Sequence, residues 1–291
     1  MSDASWEAGV AETVSPRTLD EISRLRIVPH RHYGRWVSAV VILALLALIG
    51  RAFAHGQIAW SVVGKFLAVP AILNGAVNTV IMAVLAMAVG ILLGIVIAVM
   101  RGSVNPVLRW VAIAYTWLFR GMPVLLQLLL WFNIALVFPE VGIPGVWTTR
   151  MVDVMTPFLA ALLGLGLSEA AYASEIIRAG ILSVDPGQHE AAQTIGMTRL
   201  HALRRIVLPQ AMRVVIPPLG NEFIGMVKTT SLASVIQYTE VLFRAETIYY
   251  ANYHVIELLF VACFWYLVIV SGLTLLQVPL ERRFARGTAV R

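Results

Sequence analysis

From Ile72 to Met100 the chain carries no ionisable side chain. That run exceeds the ~20 apolar residues a helix needs to cross a bilayer. In hydrocarbon every backbone amide must be satisfied within the protein, so the stretch is read as a membrane-spanning helix. Gly90 and Gly94 form a small-xxx-small step on it that permits close helix contact. With 59% apolar and 13% charged residues, the whole chain has too little polar surface for a soluble globule.

Five further apolar segments follow the same logic. Trp36–Ile49 is an uncleaved signal-anchor helix, since the region before it is too long and Arg51 interrupts the approach to Ala52-Phe53-Ala54. A third span begins near Trp110, is interrupted at Arg120-Gly121-Met122-Pro123 and resumes over Val124–Val137, predicting a kinked or discontinuous helix. Pro157–Ile177, Val214–Ile236 and Val255–Leu280 complete the set. Residues 55–70, 139–153 and 237–253 connect spans on the outer side. The predicted fold is an all-α polytopic membrane protein of about six transmembrane helices.

Charge sets the orientation. Residues 1–36, 101–109, 178–213 and 281–291 hold sixteen of the twenty-two Lys and Arg. By the positive-inside rule these segments, both termini included, are cytoplasmic. The net charge of +6 is thereby explained by topology, without a nucleic-acid partner. Cys263 is the only cysteine, which rules out an internal disulfide.

The long polar interruption at 178–213 has its own local order. Asp185 and Pro186 start a helix, Gly196 ends it in a left-handed turn, and Thr198 caps a second helix that Pro209 limits. Its residues Glu190, Ala191, Ala192, Gly196, Ile206, Leu208 and Pro209 resemble, in identity and spacing, the EAA loop of ATP-binding-cassette importer permeases. Arg120-Gly121-Met122-Pro123, Ala171–Ile176 and Lys228–Leu232 resemble other signature segments of the polar amino acid permeases, although Met122 stands where that family usually has Thr.

The resemblance implies a multi-pass bacterial inner-membrane subunit whose EAA helix docks on a cytoplasmic ATPase dimer. It further implies an extracytoplasmic solute-binding protein, a second permease subunit, identical or paralogous, and an amino acid cargo. No Gly-x4-Gly-Lys-Ser/Thr loop occurs, so ATP is expected to be hydrolysed by a partner; no cofactor is expected on this chain, nor enzymatic activity. The expected organisation is a tail (1–36), an added helix with an outer interfacial segment (37–70), the permease domain (71–285) and a short tail (286–291). The alternative is a stand-alone ion-coupled secondary amino acid carrier.

Ionisable groups within spans normally face a cavity or a partner. Glu169, Tyr172 and Glu175 share one face of the fourth span, three residues apart. Lys228, Thr230 and Ser231 group an ammonium with hydroxyls on the fifth. With Arg120 and Gln127 they are the expected substrate pathway. The same residues also fit a structural arrangement: a Glu175–Lys228 ion pair, hydroxyls bonded to their own helix, and Arg120 reaching for headgroups.

Overall fold

The computed structural model describes residues 33–143 and 145–285. Most of the expected amino-terminal tail, and the tail 286–291, lie outside the described residues. The chain divides after Ile58 into two units. The first contains α1 (Tyr33–His55), with mean hydropathy 2.4 and no polar face, the surface a helix presents to lipid.

The second unit begins with α2 (Trp60–Phe66), within the stretch 55–70 expected to connect two spans. Its lead-in amide, Ala59 N, donates to Glu257 Oε1 at 2.9 Å, and Trp265 Nε1 donates to Leu67 O at 2.9 Å. These two bonds fasten α2 to a helix almost two hundred residues later. The long apolar run forms α3 (Pro70–Arg101), started by a proline whose missing N–H costs nothing at the first turn.

The interrupted span is two helices, α4 (Pro106–Gly121) and α5 (Val124–Phe132), bent by 101° at the break. It starts earlier than the apolar pattern indicates because Asn105 Oδ1 accepts from Val107 N and caps α4. Gln127 bridges the break: its Nε2 donates to Phe119 O and Met122 O, each at 3.0 Å. The connection that follows folds into a hairpin, β1 (Glu140–Ile143) with β2 (Trp147–Arg150), and one turn of helix, α6 (Met151–Val154). Gly142 and Gly145, at φ of 145° and 83°, supply the backbone that the hairpin requires.

Thr156 caps α7 (Pro157–Leu182), which packs along α3. The polar interruption follows as α8 (Pro186–Thr194), α9 (Arg199–Ala202), a π-helical turn over Leu203–Val207, and α10 (Leu208–Thr229). Pro209 does not end the second helix as expected. It falls in the first turn of α10, where its missing donor is tolerated, and the wider π turn before it keeps the chain helical throughout. A 3-10 stretch, Thr230–Ile236, extends α10. The connection after it contains α11 (Val241–Asn252), unforeseen in the sequence, and α12 (Val255–Ala285) closes the chain.

Among the described residues α1, α3, α7 and α12 are long and apolar enough to span a membrane, with the bent α4–α5 pair as a fifth. The sixth expected span, α10, has 22 residues but carries Arg213, Asn221, Glu222 and Lys228. It packs on α7 and α12, and of these polar residues Glu222 faces a cavity.

Candidate functional site

A cavity of about 200 Å³ opens between α5, α7 and α10, lined by Ser168, Glu169, Tyr172, Glu222, Thr229 and apolar neighbours. Glu169 is 5% exposed, and its Oε1 has no hydrogen-bond partner. No Lys or Arg is among the lining residues. A buried carboxylate oxygen without a donor is costly, and its natural complement is a cationic ligand.

Glycines set the position of this carboxylate. Gly90 and Gly94 on α3 face α7, and a Cβ built on Gly90 would lie 2.4 Å from Glu169 Cγ. The close approach anticipated from the spacing is therefore made, and it presses α3 against the acidic wall. Nearer the end of the bundle that carries α8, a second space of about 430 Å³ is lined by Arg101, Thr116, Trp117, Arg120, Tyr172 and Glu175, among others.

Glu175 pairs with Arg101 at 2.5 Å and with Arg178 at 3.0 Å, not with Lys228. Arg101 also donates to Thr116 Oγ1 at 2.9 Å, so one carboxylate ties α3, α4 and α7 together. The Arg120 guanidinium lies 5.2 Å from the centre of the Tyr172 ring.

The Lys228–Ser231 cluster is not brought to the cavity. Thr230 is buried and donates to Val227 O at 2.7 Å; Ser231 donates to Lys228 O at 2.7 Å. A hydroxyl whose own helix offers a carbonyl within reach is satisfied locally. Only Thr229 of this segment lines the cavity. Gln127 is likewise a splint across the helix break and is not among the residues lining this cavity. Ser168, Glu222 and Thr229 are the polar lining groups outside the expected pathway, although an acidic residue inside a span was signal enough for Glu222.

The α8 region keeps its predicted local geometry. Asp185 Oδ1 accepts from Gly187 N at 2.6 Å, Gly196 has φ 75°, and Thr198 Oγ1 accepts from His201 N. Glu190 and Ala191 are exposed, whereas Ala192 is buried. Ala192 thus anchors α8 to its own chain while its neighbours face outward. Ile206 is half-buried and Leu208 exposed. Beneath them Ile181, Val184, Val207 and Ala211 form a small apolar cluster, and at Gly180 a Cβ would meet Val215 Cγ2 at 2.2 Å. The ends of α7 and α10 therefore meet in a tight joint under α8.

The connection beyond α10 is also held rigidly. Glu240 caps α11 by accepting from Leu242 N at 2.8 Å and Phe243 N at 2.7 Å, and it also accepts from the Tyr266 hydroxyl. Burial pushes its carboxyl up to about 7, against the lowering effect of these donors.

Residues 90–286 match the family model described as binding-protein-dependent transport system inner membrane component. The chain is 40% identical over 290 residues to the arginine transport system permease protein ArgU of Corynebacterium glutamicum, covering 99% of this chain and 90% of that one. It is 40% identical over 221 residues to the L-cystine transport system permease protein TcyB of Bacillus subtilis, covering 76% and 89%. Among solved structures it is similar to an amino acid ABC transporter crystallised with histidines, at TM-score 0.65 and 36% identity, over 74% of this chain and 94% of that one.

Proposed function

Since this chain belongs to the family of binding-protein-dependent transport system inner membrane components, we propose that it is the permease subunit of an ATP-driven importer that admits basic amino acids. The cavity between α7 and α10 carries this reading. It holds two carboxylates, Glu169 and Glu222, and no cation, and one oxygen of Glu169 lacks a donor. An ammonium or guanidinium group entering there satisfies that oxygen, whereas an acidic side chain meets repulsion from both. Family membership sets aside the stand-alone secondary carrier, and relatives named for arginine and cystine support an amino acid cargo.

In this reading a solute-binding protein delivers cargo on the outer side, and a second permease subunit, identical or paralogous, completes the pathway. A cytoplasmic ATPase dimer grips Glu190, Ala191 and the turn at Gly196, and the termini lie on the same side. Closure of the ATPases moves α8, and the joint at Gly180 passes the motion to both walls of the cavity. This chain binds and conducts; the energy comes from its partner.

The test is uptake by proteoliposomes containing this permease with its ATPase and binding protein. ATP-dependent uptake of arginine or lysine should exceed that of glutamate, and Glu169→Gln should reduce arginine uptake by about tenfold, the loss of one charge-assisted contact. Undiminished arginine uptake by Glu169→Gln refutes the assignment of the cavity.

A further inference from the structure

The acidic cavity and the space lined by Arg101, Arg120 and Glu175 have one pathway side chain in common, that of Tyr172. Tyr172 contributes to the lining of both. Three features distinguish it from the groups around it. Tyr115 Oη donates to Leu167 O at 2.8 Å and fixes α4 against α7. Arg101 and Arg178 both hold Glu175, one turn along α7 from Tyr172. Among the described residues the Tyr172 hydroxyl makes no hydrogen bond, and the ring's partner is the Arg120 guanidinium.

Arg120 differs from the two arginines near it. Arg101 and Arg178 have a carboxylate, but among the described residues Arg120 has none. A cation at the end of a span without a counter-ion normally has a partner or a role. Arg120 sits in the last turn of α4, immediately before the 101° break. Gln127 holds that turn by its bonds to Phe119 O and Met122 O. Any change in the bend moves the guanidinium relative to the ring.

We propose that Tyr172 is a gate between the acidic cavity and the space next to the α8 end of the bundle, latched by Arg120 and released when the α4–α5 break changes its angle. The frame around the ring is cross-linked by hydrogen bonds and ion pairs, whereas the ring itself can turn about its side-chain torsions once the cation withdraws. The gate needs the face of the ring and not its hydroxyl. This proposal rests on the reading of the cavity as part of the pathway but not on the identity of the cargo.

The test reads access to the cavity directly. In the assembled transporter, Cys263→Ser removes this chain's one native thiol, the same complex without a reporter gives the background labelling, and Ser168→Cys places a reporter in the cavity wall. A cationic, membrane-impermeant methanethiosulfonate reagent is then applied to inside-out vesicles without ATP. Labelling should accelerate about fivefold or more in Tyr172→Ala and in Arg120→Gln, the factor that loss of a partly desolvated cation–π contact gives. Tyr172→Phe should label as slowly as the parent. Equal rates with and without the Tyr172 ring overturn the gate, as does Tyr172→Phe labelling like Tyr172→Ala. If Tyr172→Ala does not assemble, Tyr172→Leu fills the volume without a π face, and slow labelling in that variant overturns the proposal equally. Arginine uptake by the parent complex, measured separately, reports on the cargo reading alone.

Discussion

Replacing Gly90 with alanine tests the claim that α3 positions the acidic wall. The new Cβ would stand 2.4 Å from Glu169 Cγ and 2.7 Å from its Cβ, where carbon atoms normally rest at ~3.5–4.0 Å. Something must move by about 1 Å, and Glu169 is the side chain in the way. Overpacking of this kind costs about 1–3 kcal/mol, offset by about 0.5–1 kcal/mol of helix propensity gained on losing a glycine. The net change in stability is therefore modest, about 1–2 kcal/mol, but it falls on the carboxylate that faces the cavity.

Gly94→Ala offers the contrast. Its Cβ would meet Ser174 N at 3.1 Å and Ala170 O at 3.2 Å, backbone atoms that cannot rotate aside, so the helices must separate. Gly272→Ala, with nothing within 4 Å, is the control. Thermal unfolding of the purified complex and ATP-driven uptake separate the outcomes. Gly90→Ala should lose uptake by tenfold or more with a small fall in Tm, Gly94→Ala should show the larger fall in Tm, and Gly272→Ala should match the parent in uptake with a Tm no lower. Full uptake by Gly90→Ala would refute the placement of Glu169.

Three further outcomes follow from local geometry. Gly196→Val forces a β-branched residue to φ 75°, a strain of about 1–3 kcal/mol; uptake and stimulated ATPase activity should fall while membrane insertion, read by protease protection, persists. The exposed Arg150–Asp153 pair should be dispensable, Asp153→Asn leaving Tm unchanged in a melting experiment. Glu240 binds its proton more tightly folded than unfolded, so stability should decline as pH rises from about 4.5 to about 7 and then level off; Glu240→Gln should flatten the dependence of Tm across that window.

What the sequence made legible was what short-range chemistry decides. Asp185, Gly196 and Thr198 act on amides within three residues, and their roles survive in the structure. The break at Arg120–Pro123 was legible for the same reason, though not its angle. Glu175 was different: its partner Arg101 is 74 positions away, and Lys228 is no worse a candidate by sequence alone. The hydroxyls of Thr230 and Ser231 were misplaced because local bonding to the preceding turn competes with any ligand and wins when the groups face away from the cavity. Gly90 and Gly94 announced a close contact without naming α7 as its other side. The Glu240 cap escaped because the connection holding it is too short and mixed to show a helical period.

The two walls of the cavity hang from α8 by unequal arms. Glu169 lies 13 residues before the end of α7 and Glu222 14 residues after the start of α10, ~20 Å along each helix. Yet α7 is free of proline after its first residue, whereas α10 contains Pro217 and Pro218 between the Gly180–Val215 joint and Glu222. Each proline removes a bond to the residue four before it, freeing the carbonyls of Arg213 and Val214 and creating a bend point. A push on α8 therefore reaches Glu169 through a stiff rod and Glu222 through a hinged one, and the carboxylates move relative to each other. Pro217→Ala with Pro218→Ala should restore those bonds and raise Tm, yet lower ATP-driven uptake while ATP hydrolysis continues. Uptake that stayed coupled one for one with hydrolysis in the straightened helix would refute the hinge.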